Sequence, residues 1–409
     1  MESQEVVARF AGEPSALSDG LPQTLPPATG LIVINDVDDL RRYASDLEDL
    51  VSNAEVQNVS YEPWILFPLL QVCKDRHRFV FVLIYDADMS REPKLIGFFP
   101  FERAVLHSTA PIPYLRLWAD PFNYLNARCD PLIRKGHADC IDALLRWFAK
   151  GQPYGSLLNL RGLTEGIMPR TLMPRLERKS DLSFICGTIE SHIYRRHSSA
   201  SSYLSAVFSS KSLQTLRRYE RRLCDLGRLD YADVAENGDI SGLIDEFLEL
   251  ESQGWKGKRG VAVNSYGHRE LVKGILTEAH RRKRLSFLTL RVGGRLIAAR
   301  CVILARPGSF LFKLTYDESE IFAKRSPGLL LELEAIRRLH TDGPHSSGVE
   351  WLDTCASPQS PIFTRSRSEA LKIHRFLVAR KRSVGAIVLA GLRMMGGVRP
   401  ILQKLRGRH

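Results

Sequence analysis

The 409-residue sequence contains no apolar run that approaches the ~18 residues needed to cross a bilayer as a helix. The nearest stretch, Val384 to Leu392, is short and is followed at once by Arg393. Paired cysteines are missing as well. Cys73, Cys129, Cys140, Cys186, Cys224, Cys301 and Cys355 are scattered and odd in number, with no CxxC pair and no Cys/His ligand spacing. That excludes a disulfide framework and a zinc site of the usual spacing, and it fits a reducing, cytoplasmic setting. His268, His280, His340, His345 and His374 likewise show no metal-ligand spacing, so no metal is expected. The first thirty residues have no apolar signal-peptide centre and are rich in Pro, Gly, Ser and Thr, as in a disordered leader. Acid is missing at the other end. From Ala370 to His409 there is no Asp or Glu but there are ten Lys and Arg, so most of the formal charge of +12 belongs to the tail. No DNA-recognition motif appears, and DNA is not an expected partner.

What is present is the composition of a soluble globular protein, 44% hydrophobic and 25% charged. The length implies two domains. Within the tail, Met394, Met395, Val398, Ile401 and Leu405 are compatible with a basic amphipathic helix lying on an anionic membrane surface. A tail packed on its own domain, or one without structure, is equally compatible.

Periodicity divides the remainder into two halves of similar layout. The first has a helical segment from Asp36 through Leu50 and another over Trp64 to Val72. Strands follow over Phe79 to Tyr85, Leu95 to Glu102 and Tyr114 to Trp118, then a helix over His137 to Ala149 and a strand over Leu157 to Leu160. The second has helices over Lys211 to Leu226, Ile240 to Gln253 and Tyr266 to Arg282. A hairpin turns at Gly293-Gly294 between Leu285 to Val292 and Leu296 to Leu304. Phe310 to Tyr316 is the third strand, Pro327 to Leu339 a helix, and Val349 to Asp353 the last strand. Thr188 to Ser210 is the expected crossing between the halves. The reading is an α/β (α+β) chain with four parts: a leader (1–30), two domains (31–190 and 191–380) and a basic tail (381–409).

The segment from Arg325 to Leu329 draws attention. Ser326 is a favoured N-cap, Pro327 a favoured first helical residue, and Gly328 leaves backbone N–H groups open to close approach. With Arg325 beside it, this helix start suits a pyrophosphate, although Ser-Pro-Gly is also ordinary turn chemistry.

The run YDESEIFAKRSPGLLLELEAI (Tyr316 to Ile336) resembles the GNAT-type acetyltransferase domain of the CelD-like family of cellulose and exopolysaccharide biosynthesis. KSLQTLRRYERRL (Lys211 to Leu223), EFLELESQGWKG (Glu246 to Gly257), GGRLIAA (Gly293 to Ala299) and LDTCASPQSPIFTR (Leu352 to Arg365) extend the resemblance in order over about Ala200 to Arg380. The first half is similar in layout to the degenerate first copy of such proteins. The resemblance implies two GNAT-like domains in tandem, each a mixed, mainly antiparallel sheet flanked by helices. It also implies acyl transfer from acetyl-CoA or another acyl-CoA, without a metal, to an amine on a glycan precursor such as an amino sugar or sugar nucleotide. On it, Lys313, Leu314 and Thr315 lie on the cofactor strand, and Arg325, Ser326, Gly328 and Leu329 meet the pyrophosphate. The usual GNAT loop has more glycine than this one.

Acyl transfer needs a base for the amine, a polarised carbonyl and a proton for the leaving thiolate. Asp353, Asp317 and Glu251 are candidate bases, with Asp353 favoured for its place at the end of the last strand; Tyr316 is the candidate acid. Trp255 and Lys256 wall an acceptor pocket or seal the core. Lys211, Arg217, Arg218, Arg221 and Arg222 form a solvated face or a contact for an anionic acceptor. Two other readings stay open: a non-catalytic accessory of a polysaccharide-synthesis complex, and a Fem-like aminoacyltransferase that draws on charged tRNA.

Overall fold

In the computed structural model the described residues are 30–73, 78–86, 92–106, 111–120, 122, 128–233, 240–341, 343, 346–355 and 369–394. Residues 1–29 of the expected leader therefore lie outside them, as does the tail beyond Met394, while Gly30 is buried and accepts from the Tyr85 N–H at 2.9 Å. One mixed sheet runs through the molecule. Its order is β1 (Leu31–Ile34), β2 (Phe79–Tyr85), β3 (Leu95–Val105), β4 (Pro113–Leu117), β6 (Leu157–Thr164), β13 (Glu369–Arg380), β7 (Leu182–Arg195), β12 (Trp351–Asp353), β11 (Gly308–Tyr316), β10 (Arg295–Ala305), β9 (Leu285–Val292), β8 (Leu229–Asp233). β5 (Leu132–Ile133) pairs with β3 off this path.

The halves are built alike. In each, three antiparallel strands (β2–β3–β4 and β9–β10–β11) are followed by a helix and then a strand parallel to the third (β6 and β12). A parallel neighbour needs such a crossover, which the helices Cys140–Ala149 (α3) and Pro327–Leu339 (α8) provide. β2 is buried along its whole length, so FVFVLIY reads as a continuous apolar run because both its faces are covered. Gly293 and Gly294 adopt φ of 56° and 82°, as a tight hairpin between β9 and β10 requires.

Five strands escaped the sequence reading: β1, the two-residue β5, β7, β8 and β13. Two of them join the halves. β7 follows β6 in the chain but pairs with β12, and β13 follows β12 but pairs with β6. β7 and β13 then pair with each other from Glu369 opposite Ile193 to Arg380 opposite Leu182. The expected crossing segment is thus partly strand, and the expected boundary after residue 190 falls inside β7.

The remaining helices are Ala44–Ser52 (α1), Pro63–Val72 (α2), Ile167–Arg178 (α4), Ser210–Cys224 (α5), Ile240–Gln253 (α6), Arg269–Arg281 (α7) and Val384–Met394 (α9), with shorter turns between. The second half of the sheet is covered on both faces. Phe287, Ala299, Cys301, Ile303, Phe310 and Phe312 share a core with α6, α7 and the whole first half. Leu288, Leu290, Ala298, Val302, Leu304 and Leu311 share another with α5 and α8. Alternation along β9 to β11 assigns each residue to its face.

α7 of the second half lies against α2 of the first. Glu62 is buried there, accepting from Trp64 Nε1 at 2.7 Å and from Arg284 Nη2 at 2.8 Å. The Arg284 guanidinium also lies 5.4 Å from the Trp64 ring centroid. Arg284→Met leaves a buried carboxylate without its cation. Chemical denaturation should show a loss of about 3 kcal/mol, with the two halves still unfolding together.

Candidate active site

β11 and β12 run in register only from Gly308 opposite Trp351 to Phe310 opposite Asp353. A Cβ on Gly308 would strike the Trp351 ring, so glycine is what lets the pair close at this end. β12 then stops, while β11 continues to Tyr316. Among the described residues the edge of β11 from about Lys313 onward therefore has no strand partner, which leaves a cleft between it and β12.

Groups from both halves meet in this cleft. Glu251, on α6, is fully buried. Its Oε1 accepts from Lys313 Nζ and from Lys256 Nζ, each at 3.0 Å, and its Oε2 accepts from the Val263 N–H at 2.9 Å. Lys256 Nζ also donates to the Leu314 carbonyl at 3.0 Å, on the open edge of β11. Burial pushes the Glu251 carboxyl up, but Lys256, Lys313 and the Val263 N–H together hold it below the usual range. Lys313 is held below the usual lysine value by its burial and by Lys256, which outweigh the opposing pull of Glu251 and of Asp120 from the first half. Asp353 is completely buried and forms an ion pair with Arg128, also from the first half, while its Oδ1 accepts from the Cys355 N–H at 2.8 Å. Phe122 meets His268 edge-on, with centroids 4.2 Å apart.

The other expected residues are placed as follows. Asp317 anchors a turn: its Oδ2 accepts from Arg295 Nη2 at 2.7 Å and its Oδ1 from the Ser319 N–H at 2.8 Å. Thr315 is buried on β11. Burial raises the Tyr316 phenol, and Glu318 adds to the shift, so its hydroxyl stays protonated at neutral pH. Trp255 is 42% exposed, its backbone N–H donating to Glu318 Oε2 at 2.9 Å, so it neither seals the core nor lies deep in the cleft. Lys211 and Arg218 are exposed on α5. That helix packs with α8 on the other face of the sheet from α6, so these two are not brought to the Glu251 group.

The helix start differs in detail from the sequence expectation. Ser326 occupies the N-cap position, but with φ 47° and ψ 57° it is left-handed and its side chain makes no capping bond. Its carbonyl instead accepts from the Leu329 and Leu330 N–H groups at 3.0 and 3.1 Å. The Arg325 and Ser326 N–H groups donate to Phe322 and Ala323, and Pro327 has none to offer. Among the described residues, only the Gly328 N–H in this stretch is left without an internal acceptor. The space where a Gly328 Cβ would stand is filled by the Tyr316 ring, 2.6 Å away. Glycine there makes room for tyrosine. Arg325 turns back to donate to the Ile321 carbonyl.

Sequence reasoning missed Arg128, Asp120 and the Lys313 side chain. The first two sit in an irregular stretch after β4, where no periodicity points to a site. Lys313 interrupts FLFKLTY, and a lysine inside a buried strand is the signal that was there to be read.

Residues 210–353 match the family model of an acetyltransferase (GNAT) domain. No curated protein matches the chain. Among solved structures, a conserved protein of unknown function from Bacteroides thetaiotaomicron aligns at TM-score 0.50 and 13% identity, over 82% of this chain and 97% of that one. FemX aligns at TM-score 0.47 and 9% identity, over 80% and 95%. A tandem GNAT protein from the clavulanic acid biosynthesis pathway aligns at 0.38 and 11%, over 86% and 98%. At these identities the likeness concerns the fold. Residues 210–353 thus resemble a GNAT-type acetyltransferase domain, and the CelD-like assignment is not part of what matched.

Glu251→Gln leaves two ammonium groups around a neutral amide, and stability at pH 7 should fall by about 3 kcal/mol. Because the folded Glu251 carboxyl is depressed, its contribution is present above the ordinary glutamate range near ~4.3 and is lost as pH falls through the folded value. Denaturant melts from pH 7 down to 3 should therefore show a shallower acid slope in Glu251→Gln. Adding Lys313→Met should restore part of the loss.

Proposed function

We propose that the chain transfers an acyl group from an acyl-CoA to an amine, in the cleft where β11 leaves β12. The observation that carries this reading is the open β11 edge with two lysines fixed beside it, inside a segment that matches an acetyltransferase domain. In this reading Lys256, already at the Leu314 carbonyl, stabilises the oxyanion formed on the thioester carbonyl. The amine attacks, the new C–N bond forms and the C–S bond breaks. The neutral form of Lys313, which burial and Lys256 favour, takes the proton of the attacking amine, and Tyr316 supplies one to the leaving thiolate. Glu251 positions both lysines. Asp353 acts through Arg128, shaping the wall where the halves meet.

The acceptor is proposed to be an amino sugar or sugar nucleotide in exopolysaccharide or envelope synthesis. The resemblance of Lys211 to Leu223 and of Leu352 to Arg365 to CelD-like proteins supports this. Among the described residues no helix is long and apolar enough to cross a membrane. Contact of the tail with a membrane surface is supported by α9, where Val384, Ile387 and Met394 are more than half exposed at 55%, 73% and 83%.

A second reading is favoured by one observation. A helix start with a single open amide is a poor match to a pyrophosphate, so the donor under this reading is an aminoacyl-tRNA, with the same cleft and lysines.

Calorimetric titration with acetyl-CoA separates the two. The first reading expects binding by the wild type, weakened about tenfold in Arg325→Glu, where a cation near the phosphates becomes an anion. No heat with acetyl-CoA, together with salt-sensitive binding of charged tRNA, would establish the second. Silence with both ligands points to the accessory role.

A further inference from the structure

Among the described residues nine large apolar side chains are exposed, and seven of them fall into two groups. Val384, Ile387 and Met394 stand on α9 at spacings that place them on one face of the helix. The opposite face, with Leu389 and Leu392, is packed on Tyr114, Leu157, Leu377 and Ala379. Four others ring the mouth of the cleft: Trp255, Val261, Tyr266 and Ile321, which are 42%, 37%, 44% and 48% exposed.

The cleft itself holds the second group in place. The Trp255 backbone N–H donates to Glu318, just past the end of β11. Lys256 reaches the Leu314 carbonyl, and its own carbonyl accepts from the Val261 N–H at 2.8 Å. The Val263 N–H is bound to Glu251, and Tyr266 meets Phe122 of the first half with ring centroids 6.0 Å apart. Ile321 lies in the short helix Glu320–Ala323 that follows β11.

Cations border both groups. Lys258 and Arg259 are exposed beside Trp255, with the Arg259 guanidinium 5.4 Å from the Trp255 ring centroid. The acids next to them are engaged, Glu318 by the Trp255 N–H and Glu320 by Lys324. At α9, Lys381, Arg382 and Arg393 are exposed, and the sequence holds no acid from Ala370 to His409.

Topology brings the groups toward one end of the sheet. β13 runs antiparallel to β7, β7 antiparallel to β12, and β12 parallel to β11. β13 and β11 therefore run the same way, and α9, which follows β13, lies toward the end where β11 opens the cleft. Isolated apolar residues on a surface are ordinary; grouped ones bordered by cations mark a contact. Trp and Tyr favour the boundary of water and lipid, and Lys and Arg are drawn to acidic headgroups.

We propose that this end of the molecule docks on an anionic bilayer, with α9 and the mouth of the cleft both against the lipid. One consequence rests on the transfer reading: the acceptor is anchored in the bilayer and presents its amine to the mouth.

The test mixes the full chain with vesicles of phosphatidylcholine and phosphatidylglycerol, or of phosphatidylcholine alone. Trp255 is the only exposed tryptophan of the five, so quenching of its emission by bromine-labelled lipid reports on the mouth. The wild type should bind the anionic vesicles, about tenfold more weakly when salt is raised from ~0.05 to ~0.5 M. Ile387→Glu together with Met394→Glu, at exposed sites that spare the fold, should weaken binding about tenfold. Bromine-labelled lipid should quench the wild type, and Trp255→Phe should bind but lose that quenching. The proposal is overturned by no binding, by equal binding to phosphatidylcholine alone, by binding without quenching of Trp255, or by full binding of the α9 variant. No acyl donor is present, so docking is read independently of transfer. Docking together with a silent acetyl-CoA titration removes the transfer reading and its anchored acceptor, and the bilayer contact stands.

Discussion

The pairing of β7 with β13 is what makes this molecule one object. Each strand comes from one half and lies beside the last strand of the other, and their register continues over the full length of β13. Through Ile193 to Arg195, β7 also holds β12. β12 is thereby committed on one side to the centre of the molecule, and on the other it follows β11 for three residues only. The cleft is a consequence of that commitment. Because the same exchange fixes one half against the other, the segment after β4 can reach across and set Asp120 and Arg128 close to Lys313 and Asp353.

The cleft concentrates buried charge, and its balance explains which groups have freedom to act. Burying any of these ions alone would be strongly unfavourable; each is tolerated because it is paired and hydrogen-bonded. Glu251 has three donors, and Asp353 has Arg128 and the Cys355 N–H. Its partners hold Glu251 as an anion, poorly placed to exchange protons. Lys313 is the exception in kind, since burial and the charge of Lys256 both act against its protonation. The proposal of a lysine as the base, in place of a carboxylate, follows from counting partners.

The sequence revealed the elements whose pattern is local. The Gly-Gly hairpin, the fully apolar β2, and the strand–helix–strand crossovers of both halves stand as read, since turn chemistry and periodicity specify them within a few residues. β7 and β13 did not show. LSFICGTIESHIYR mixes polar residues through a strand that is mostly half-buried, and the alternation of EALKIHRFLVAR is broken by a register shift between His374 and Phe376. Both owe their stability to a distant partner. Ser326 shows the same lesson at one residue: Ser-Pro placed the helix start correctly, but its left-handed backbone was set by the turn Phe322 to Ser326, and the cap never formed. Glu251 and Lys256 were in view as candidate residues, and Lys313 only for its backbone on the expected cofactor strand. Which of them touch depended on which face of the sheet each helix covers.

That two-faced sheet links the cleft to a second buried pair of charges, Arg300 and Glu332. Arg300 and Cys301 are successive residues of β10 and so point to opposite faces. Cys301 belongs to the core shared with α6 and lies close enough to feel the charges of Glu251 and Lys313, while Arg300 faces α8 and Glu332. Cys301 is also the residue opposite Lys313, at the point where the β10–β11 register shifts. A strand irregularity of this kind re-aims neighbouring side chains, and Arg300 is separated from the Lys313 position by one step along β10 and one cross-strand pair. The α8 helix closes the loop from the other side. Its first turn packs Gly328 on Tyr316 at the cleft, and one turn further Glu332 meets Arg300. The cleft and the Arg300–Glu332 pair thus share β10 and α8, and neither can be repacked without moving a residue that supports the other.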